Sequence, residues 1–340
     1  GKKVSLNISN SLKKNNIFFQ KCLIIYDNKV PIEILKIIKN KLGNKNVYIF
    51  KIKSRKKIKN VKTVNKIVNF ILERGFHRSD LIISLGGGIV GDISSFVSSI
   101  FKRGINFVNI PTTLLSQVDA SIGGKTGVNS IYGKNLIGSF YQPNLVISDI
   151  IFLDTLPRRE LICGYAEILK HSLINSEKFF LFLSSNVKKI LKLESKVITK
   201  SIYESCKIKK KIVEKDEKET GLRKVLNFGH TFAHAYEAGL GYSHKLNHGE
   251  AVILGMKTAL SFSLKENMLS KSEYNSITNH IDNSGLPSSI KKYFSIKDLN
   301  KILSFMIKDK KNNSKKINLV LLKNIGKPIF NKQYSKKKVK

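Results

Sequence analysis

Four of the seven histidines, His230, His234, His244 and His248, fall within nineteen residues of one another. Histidine nitrogens and a carboxylate together suit zinc, and a catalytic zinc keeps one position open to substrate. In GLRKVLNFGHTFAHAYE, the residues Arg223, Asn227, His230 and His234 recur at spacings of 4, 3 and 4, so one helix would carry them as a polar stripe. Solvated helix faces elsewhere in this chain are Lys and Glu, so a stripe of Arg, Asn and His points to a site. Upstream, in LICGYAEILKHSLI, Glu167 and Lys170 stand three apart on an otherwise apolar helix. A buried acid is costly unless it is paired or bound to a metal. The plainer alternative is a Glu–Lys ion pair bridging two helices. Spacing nominates His230 and His234 as the histidine pair, while His248, in NHGEAV at the start of another helix, is a further candidate. The HExxH signature is absent because position 231 is Thr. Spacing alone leaves open which two histidines bind. His244 reads as a loop residue, and His77, His171 and His280 as structural or exposed.

A second kind of chemistry is marked by glycine. Ser84-Leu85-Gly86-Gly87-Gly88-Ile89-Val90-Gly91-Asp92 follows a strand and opens a helix, and it satisfies GxGxxG. Glycine lets backbone approach a pyrophosphate, and the helix N-terminus favours its charge. The motif follows a later strand than in an ordinary Rossmann protein, which suggests a related but different nucleotide fold. GGKTG (123–127), with Lys125, looks like a phosphate loop. It is not a Walker A motif, because Asp119 occupies the place of the first glycine.

The elements that must hold these residues divide in two. CLIIYD (22–27), NVYIFKI (46–52), DLIISLGGG (80–88), INFVNIP (105–111) and NLVISD (144–149) read as strands. Helical patterns between them, such as 61–75, predict an α/β domain with a mostly parallel sheet. From Pro157 onward the segments 159–175, 178–192, 194–217, 225–240 and 249–266 are helical in period. The expectation is an α/β nucleotide-binding domain over 1–155 and an all-α metal- and substrate-binding domain over 156–340.

Composition bounds the partners. The chain has 340 residues, 41% of them hydrophobic, and a formal charge of +37. Of its 61 basic residues only 7 are Arg and 54 are Lys, spread along the whole chain. Nucleic-acid surfaces favour the planar fork of Arg, so no nucleic-acid partner is expected, only a positive field that draws anionic substrates. No apolar run reaches membrane-spanning length, so no membrane partner is expected either. The start, GKKVSLNISN, lacks a secretory pattern, and Cys22, Cys163 and Cys206 form no CxxC pair, so a cytoplasmic location is expected.

Taken together, LGGGIVGD, IPTTLLSQVDASIGGKTGVN, GKNLIGSFYQP, LPRRELICGYAEILKH, DEKETGLRKVLNFGHTFAHAYE and HGEAV resemble the 3-dehydroquinate synthase family, a branch of the sugar-phosphate cyclases. The resemblance runs from about residue 80 to 260 and more faintly to the end. It implies one Zn2+ or Co2+ per chain, held by Glu167, His230 and His248. His234 then sits beside the metal as a substrate or proton-transfer group, in place of the spacing-based pair. NAD would lie on Gly88, Ile89, Val90, Gly91, Asp92, Thr112, Thr113, Lys125 and Lys134, with Phe152, Leu153, Asp154 and Thr155 nearby. The substrate, 3-deoxy-D-arabino-heptulosonate 7-phosphate, would be held by Asp119, Lys125, Asn135, Lys170, Lys209, Arg223, Asn227 and, less closely matched, Lys310. Lys209, Arg223 and Lys310 suit a dianionic phosphate. The implied reaction is transient oxidation by NAD, elimination of phosphate, reduction and an aldol closure, in a homodimeric enzyme.

One segment departs from the family pattern. The family carries acidic adenosine-contacting residues after its second strand, whereas KIKSRKKIKN (51–60) has no acid. Loss of a carboxylate near the adenosine ribose weakens discrimination against the 2′-phosphorylated dinucleotide. The rival readings are another sugar-phosphate cyclase, a polyol dehydrogenase and, from the +37 charge, a non-catalytic nucleic-acid or scaffold protein, which leaves the polar site residues unexplained. Retention of Lys209, Asn227 and His234 speaks against the first, and the phosphate-binding cations against the second.

Overall fold

The structure, a computed structural model, describes residues 1–43, 46–53, 55–307 and 316–340. The chain forms two compact units, Gly1–Pro157 and Arg158–Lys340. Among the described residues no helix is long and apolar enough to cross a membrane.

In the first unit α1 (Ile8–Lys14) precedes β1 (Lys21–Asp27), α2 (Ile32–Lys41), β2 (Asn46–Ile52), α3 (Val61–Leu72), β3 (Leu81–Gly86), α4 (Gly88–Ile100) and β4 (Asn106–Pro111). A short hairpin, β5 (Val128–Ser130) and β6 (Gly133–Ile137), and the two-residue strand β7 (Leu145–Val146) complete it. The main sheet has the order β2-β1-β3-β4-β7, with every pairing parallel. Strand side chains alternate between faces, so one run of apolar residues feeds two cores. On β1, Cys22, Ile24 and Tyr26 join Leu35 and Ile38 of α2, whereas Leu23 and Ile25 join Ile67 and Ile71 of α3 and Ile93 of α4. All six residues of β3 are buried, as a central parallel strand requires.

The strand order explains where the glycine fingerprint falls. The chain steps from β1 out to β2, then returns past β1 to β3 and continues to β4. The direction reverses between β1 and β3, and ligands of open α/β sheets bind at such a switch point. Gly86-Gly87-Gly88 is the turn that leaves β3 there.

The second unit is built on α5 (Arg158–Asn175), α6 (Glu177–Leu191), α7 (Ser195–Lys215), α8 (His230–Gly239), α9 (His248–Lys265), α10 (Lys271–Asn283) and α11 (Leu299–Ile307). It is not all-α. A hairpin of β8 (Ile317–Asn324) and β9 (Lys327–Tyr334) buries Ile317, Leu319, Leu321 and Leu322. Its tight turn, Ile325-Gly326, lacks the Asn-Gly signature of a two-residue loop. Tertiary contacts hold it instead: Glu273 of α10 accepts from Ile325 N at 2.9 Å and Asn324 Nδ2 at 3.3 Å.

The continuous helix expected over 225–240 is also broken. A 3-10 segment spans Leu222–Asn227, Gly229 turns at φ 78°, and α8 starts at His230. A Cβ at Gly229 would lie 2.7 Å from Met256 Cγ and 2.8 Å from Met256 N. Close approach of α9 therefore demands glycine there, and the polar stripe is two pieces set at an angle.

Candidate functional site

The second unit gathers the acid and the histidines from three helices. Glu167 lies in the buried middle of α5 and is 1% exposed; His230 is the first residue of α8, and His248 the first of α9. One ligand atom from each lies within 4.8 Å of the others, a span that a single metal ion could bridge. Lys170, 2% exposed, pairs with Glu167 Oε2. His230 Nε2 lies 3.5 Å from Glu167 Oε1. Beyond the Lys170 ion pair, neither carboxylate oxygen of Glu167 has a hydrogen-bond partner among the described residues. A buried carboxylate met by a single lysine and gathered with two imidazoles is a donor set suited to a divalent ion.

The helix starts are held by local chemistry. Asn247 and Glu250 form a capping box at the head of α9. Arg159 of α5 clamps Glu250, with Nε on Oε1 at 2.7 Å and Nη2 on Oε2 at 2.5 Å, and donates to the carbonyls of His244 and Lys245. His234, one turn along α8, places its ring centroid 5.5 Å from that of His230 and 6.3 Å from that of His248. The ring of His230 turns Nδ1 toward the Phe228 carbonyl at 3.3 Å, leaving Nε2 toward Glu167.

Next to this set stands a polar loop. Lys209 of α7 and Arg223 are buried, and Arg223 Nη1 donates to the Glu217 carbonyl. Asn227 donates to Glu219 Oε1 at 2.8 Å, and Glu219 is held at φ 59°, in the left-handed region. The carboxylate of Asp216 accepts from the backbone N–H of Thr220, Gly221 and Arg223. These bonds pull its carboxyl down to about 2, with the Arg223 N–H the largest contribution. Lys310 lies outside the described residues.

In the first unit Gly88, Ile89, Val90 and Gly91 form the first turn of α4, whose N-cap Gly87 supplies no side-chain cap. A Cβ on Gly87 would lie 3.1 Å from Thr113 Cγ2, so the turn is packed for backbone alone. Thr112, at the end of β4, donates its N–H to the Gly86 carbonyl at 3.0 Å. Asp92 pairs with Lys59, which also reaches Asn135 Oδ1. Asp92 and Lys125 line one small cavity with Asn109 and Tyr141. Asp119 sits in a π-helical turn, and Lys134 and Asn135 are exposed on the β5–β6 hairpin. Phe152 and Leu153 are core residues, so only their backbone could face a ligand, whereas Asp154 and Thr155 are exposed.

Sequence reasoning missed Lys59, Glu219 and Glu237. Lys59 is hidden in a basic run and Glu219 in an acidic one. Glu237, three residues beyond His234, continues the spacing of the stripe. Cys163, buried with its thiol pushed up to about 12 by desolvation, stays protonated and inert.

The chain folds like a class of solved synthases. It matches a solved 2-deoxy-scyllo-inosose synthase complexed with carbaglucose-6-phosphate, NAD+ and Co2+ at a TM-score of 0.86 and 24% identity, over 100% of this chain and 94% of that one. It matches 2-epi-5-epi-valiolone synthase from Streptomyces hygroscopicus subsp. jinggangensis 5008, with NAD+ and Zn2+ bound, at a TM-score of 0.86 and 23% identity, over 100% and 93%. Sequence narrows the class. Residues 49–163 match the family described as 3-dehydroquinate synthase N-terminal, and residues 164–312 its C-terminal counterpart. The 3-dehydroquinate synthase of Pelagibacter ubique (strain HTCC1062) is 58% identical over 339 residues, covering 100% of this chain and 92% of that one. The chain belongs to the 3-dehydroquinate synthase family.

Proposed function

We propose that this chain converts 3-deoxy-D-arabino-heptulosonate 7-phosphate to 3-dehydroquinate and phosphate, as a carbon–oxygen lyase dependent on NAD and a divalent metal. The observation that carries the reading is the buried carboxylate of Glu167, one ligand atom of which lies within 4.8 Å of those of His230 and His248. Glu167, His230 and His248 would hold one Zn2+ or Co2+. NAD would rest on the Gly88–Asp92 turn with Thr112, Thr113, Lys125, Lys134 and the 152–155 backbone. When bound, the dinucleotide supplies a reversible hydride acceptor and the ion supplies Lewis acidity.

The protein's own groups bind, orient and move protons. Arg223 and Lys209 are buried cations suited to a phosphate dianion, and the family resemblance adds Lys310 to that role. Asn227, fixed by Glu219, offers its amide oxygen to a substrate hydroxyl. His234, whose ring lies 5.5 Å from that of His230, would carry a proton at a ring nitrogen. Lys170 holds the Glu167 carboxylate in place. The family resemblance also assigns Asp119, Lys125 and Asn135 to the substrate. The departing phosphate can itself accept the proton lost from the adjacent carbon, so no dedicated protein base is required.

A homodimer is part of the reading: Ile131 and Tyr132, 92% and 86% exposed at the β5–β6 hairpin tip, offer apolar surface for a second copy. A cytoplasmic location accords with three cysteines that form no disulfide among the described residues.

The test is to supply metal-loaded protein with the heptulosonate phosphate and a trace of NAD. Many turnovers per NAD, with phosphate and dehydroquinate released in equal amounts, are expected. Phosphate without dehydroquinate, or no product with zinc or cobalt and excess NAD, would overturn the reading.

A further inference from the structure

We infer that Glu237 is a positioning residue for His248, fixing which imidazole nitrogen faces the metal. The inference rests on the metal reading proposed above. Glu237, 8% exposed on the last turn of α8, has Oε2 at 3.0 Å from His248 Nδ1. An ionised carboxylate can only accept, so His248 Nδ1 carries the proton and Nε2 keeps its lone pair. The same outcome is reached at His230 by another route, through the Phe228 carbonyl at 3.3 Å from Nδ1. Both histidines are thereby turned to present Nε2, one held by a neutral acceptor and one by an anion. The anionic partner makes His248 the more electron-rich ligand of the two.

A bridge that merely ties α8 to α9 is the competing account. The head of α9 does not need it, because Asn247, Glu250 and the Arg159 clamp already fix that end. What they leave undetermined is rotation of the imidazole about its own bonds, and that is the freedom Glu237 removes. Glu237 also follows His234 by three residues, so α8 carries one ligand, one proton-transfer group and the orienting acid on one face.

The experiment compares wild type, E237M, which keeps volume but removes the acceptor, and E237Q, which keeps an acceptor oxygen. Ring 15N shifts of His248 in metal-free protein, assigned against H248N, report the tautomer. Cobalt titration with its visible spectrum reports affinity and geometry. In wild type the Nδ1–H form dominates. E237M gives mixed tautomers and a cobalt affinity lower by about 10- to 100-fold, and E237Q recovers most of that loss. If E237M lowers thermal stability while tautomer and cobalt affinity stay at wild-type values, Glu237 is a structural bridge and the inference is overturned. If wild type itself takes up no cobalt, the metal reading falls and this one with it, an outcome separable because it appears before any substitution.

Discussion

The backbone N–H of Gly249 donates to Cys163 Sγ across 3.0 Å, and a Cβ on Gly249 would lie 2.3 Å from Cys163 Cα. Helices α5 and α9 therefore meet backbone to backbone. Cys163 is one turn before Glu167, and Gly249 directly follows His248, so this contact sets the separation of two proposed ligands. Gly249→Ala must force the helices apart. Overpacking of this kind costs about 1–3 kcal/mol, and thermal unfolding should show it. Cobalt affinity should fall along with stability; an unchanged cobalt affinity would mean that the α5–α9 spacing does not govern the donor set.

Lys170 and Glu167 pair at 2% and 1% exposure, so the metal-free protein carries an internal counter-cation for the carboxylate. Lys170→Met would leave that carboxylate buried alone, which costs about 3–5 kcal/mol. A bound divalent ion takes over the same neutralising role. The loss of melting temperature should therefore be large in metal-free protein and much smaller after zinc is added. Equal losses in both states would separate Lys170 from the metal site.

Acid should weaken the second unit through His280. Burial lowers this imidazole from 6.5 to about 4, in a pocket where Nε2 lies 2.9 Å from the Tyr165 hydroxyl. Below pH 6.5 the unfolded chain takes up a proton that the folded one refuses, so stability falls as pH drops and the effect is complete near pH 4. The full loss is about 3 kcal/mol. Denaturant unfolding between pH 7 and 4 measures it, and His280→Gln should flatten the slope.

Beyond β2 the side chains of Lys53, Arg55 and Lys57 are exposed, and the segment 51–60 holds no acid to repel a 2′-phosphate. NAD and NADP should bind with dissociation constants within about tenfold of each other. Titration of the metal-loaded protein with each dinucleotide measures the ratio. A strong preference for NADP would overturn the assignment of NAD.

Much of the two-part fold could be read from periodicity, because β3 is apolar apart from Ser84 and the helices of the second unit repeat at 3.6 residues. Glu167 stood out as an acid on an apolar helix, and the stripe at 223–234 stood out by residue type. Geometry that depends on a partner element was not legible. Gly229 breaks the helix only because Met256 approaches it, and the β8–β9 turn is held by Glu273 rather than by its own residues. Strand order is likewise a tertiary property, so the late position of the glycine turn made sense only once β3 was seen beside β1. Spacing nominated His234 where the structure brings His248 within reach of Glu167, since α8 and α9 are joined by chain that carries no period.

The loop wound around Asp216 has one more consequence. Three backbone N–H groups on one carboxylate, ionised down to about pH 2, keep Arg223 and Asn227 in position without help from a ligand. The entropy of arranging that loop is lost when the chain folds rather than when a sugar phosphate arrives. A ligand thus meets a finished mould, and capture need not wait for the loop to order. Selection among related phosphorylated sugars should then be written in residence times, with similar rates of arrival for good and poor ligands.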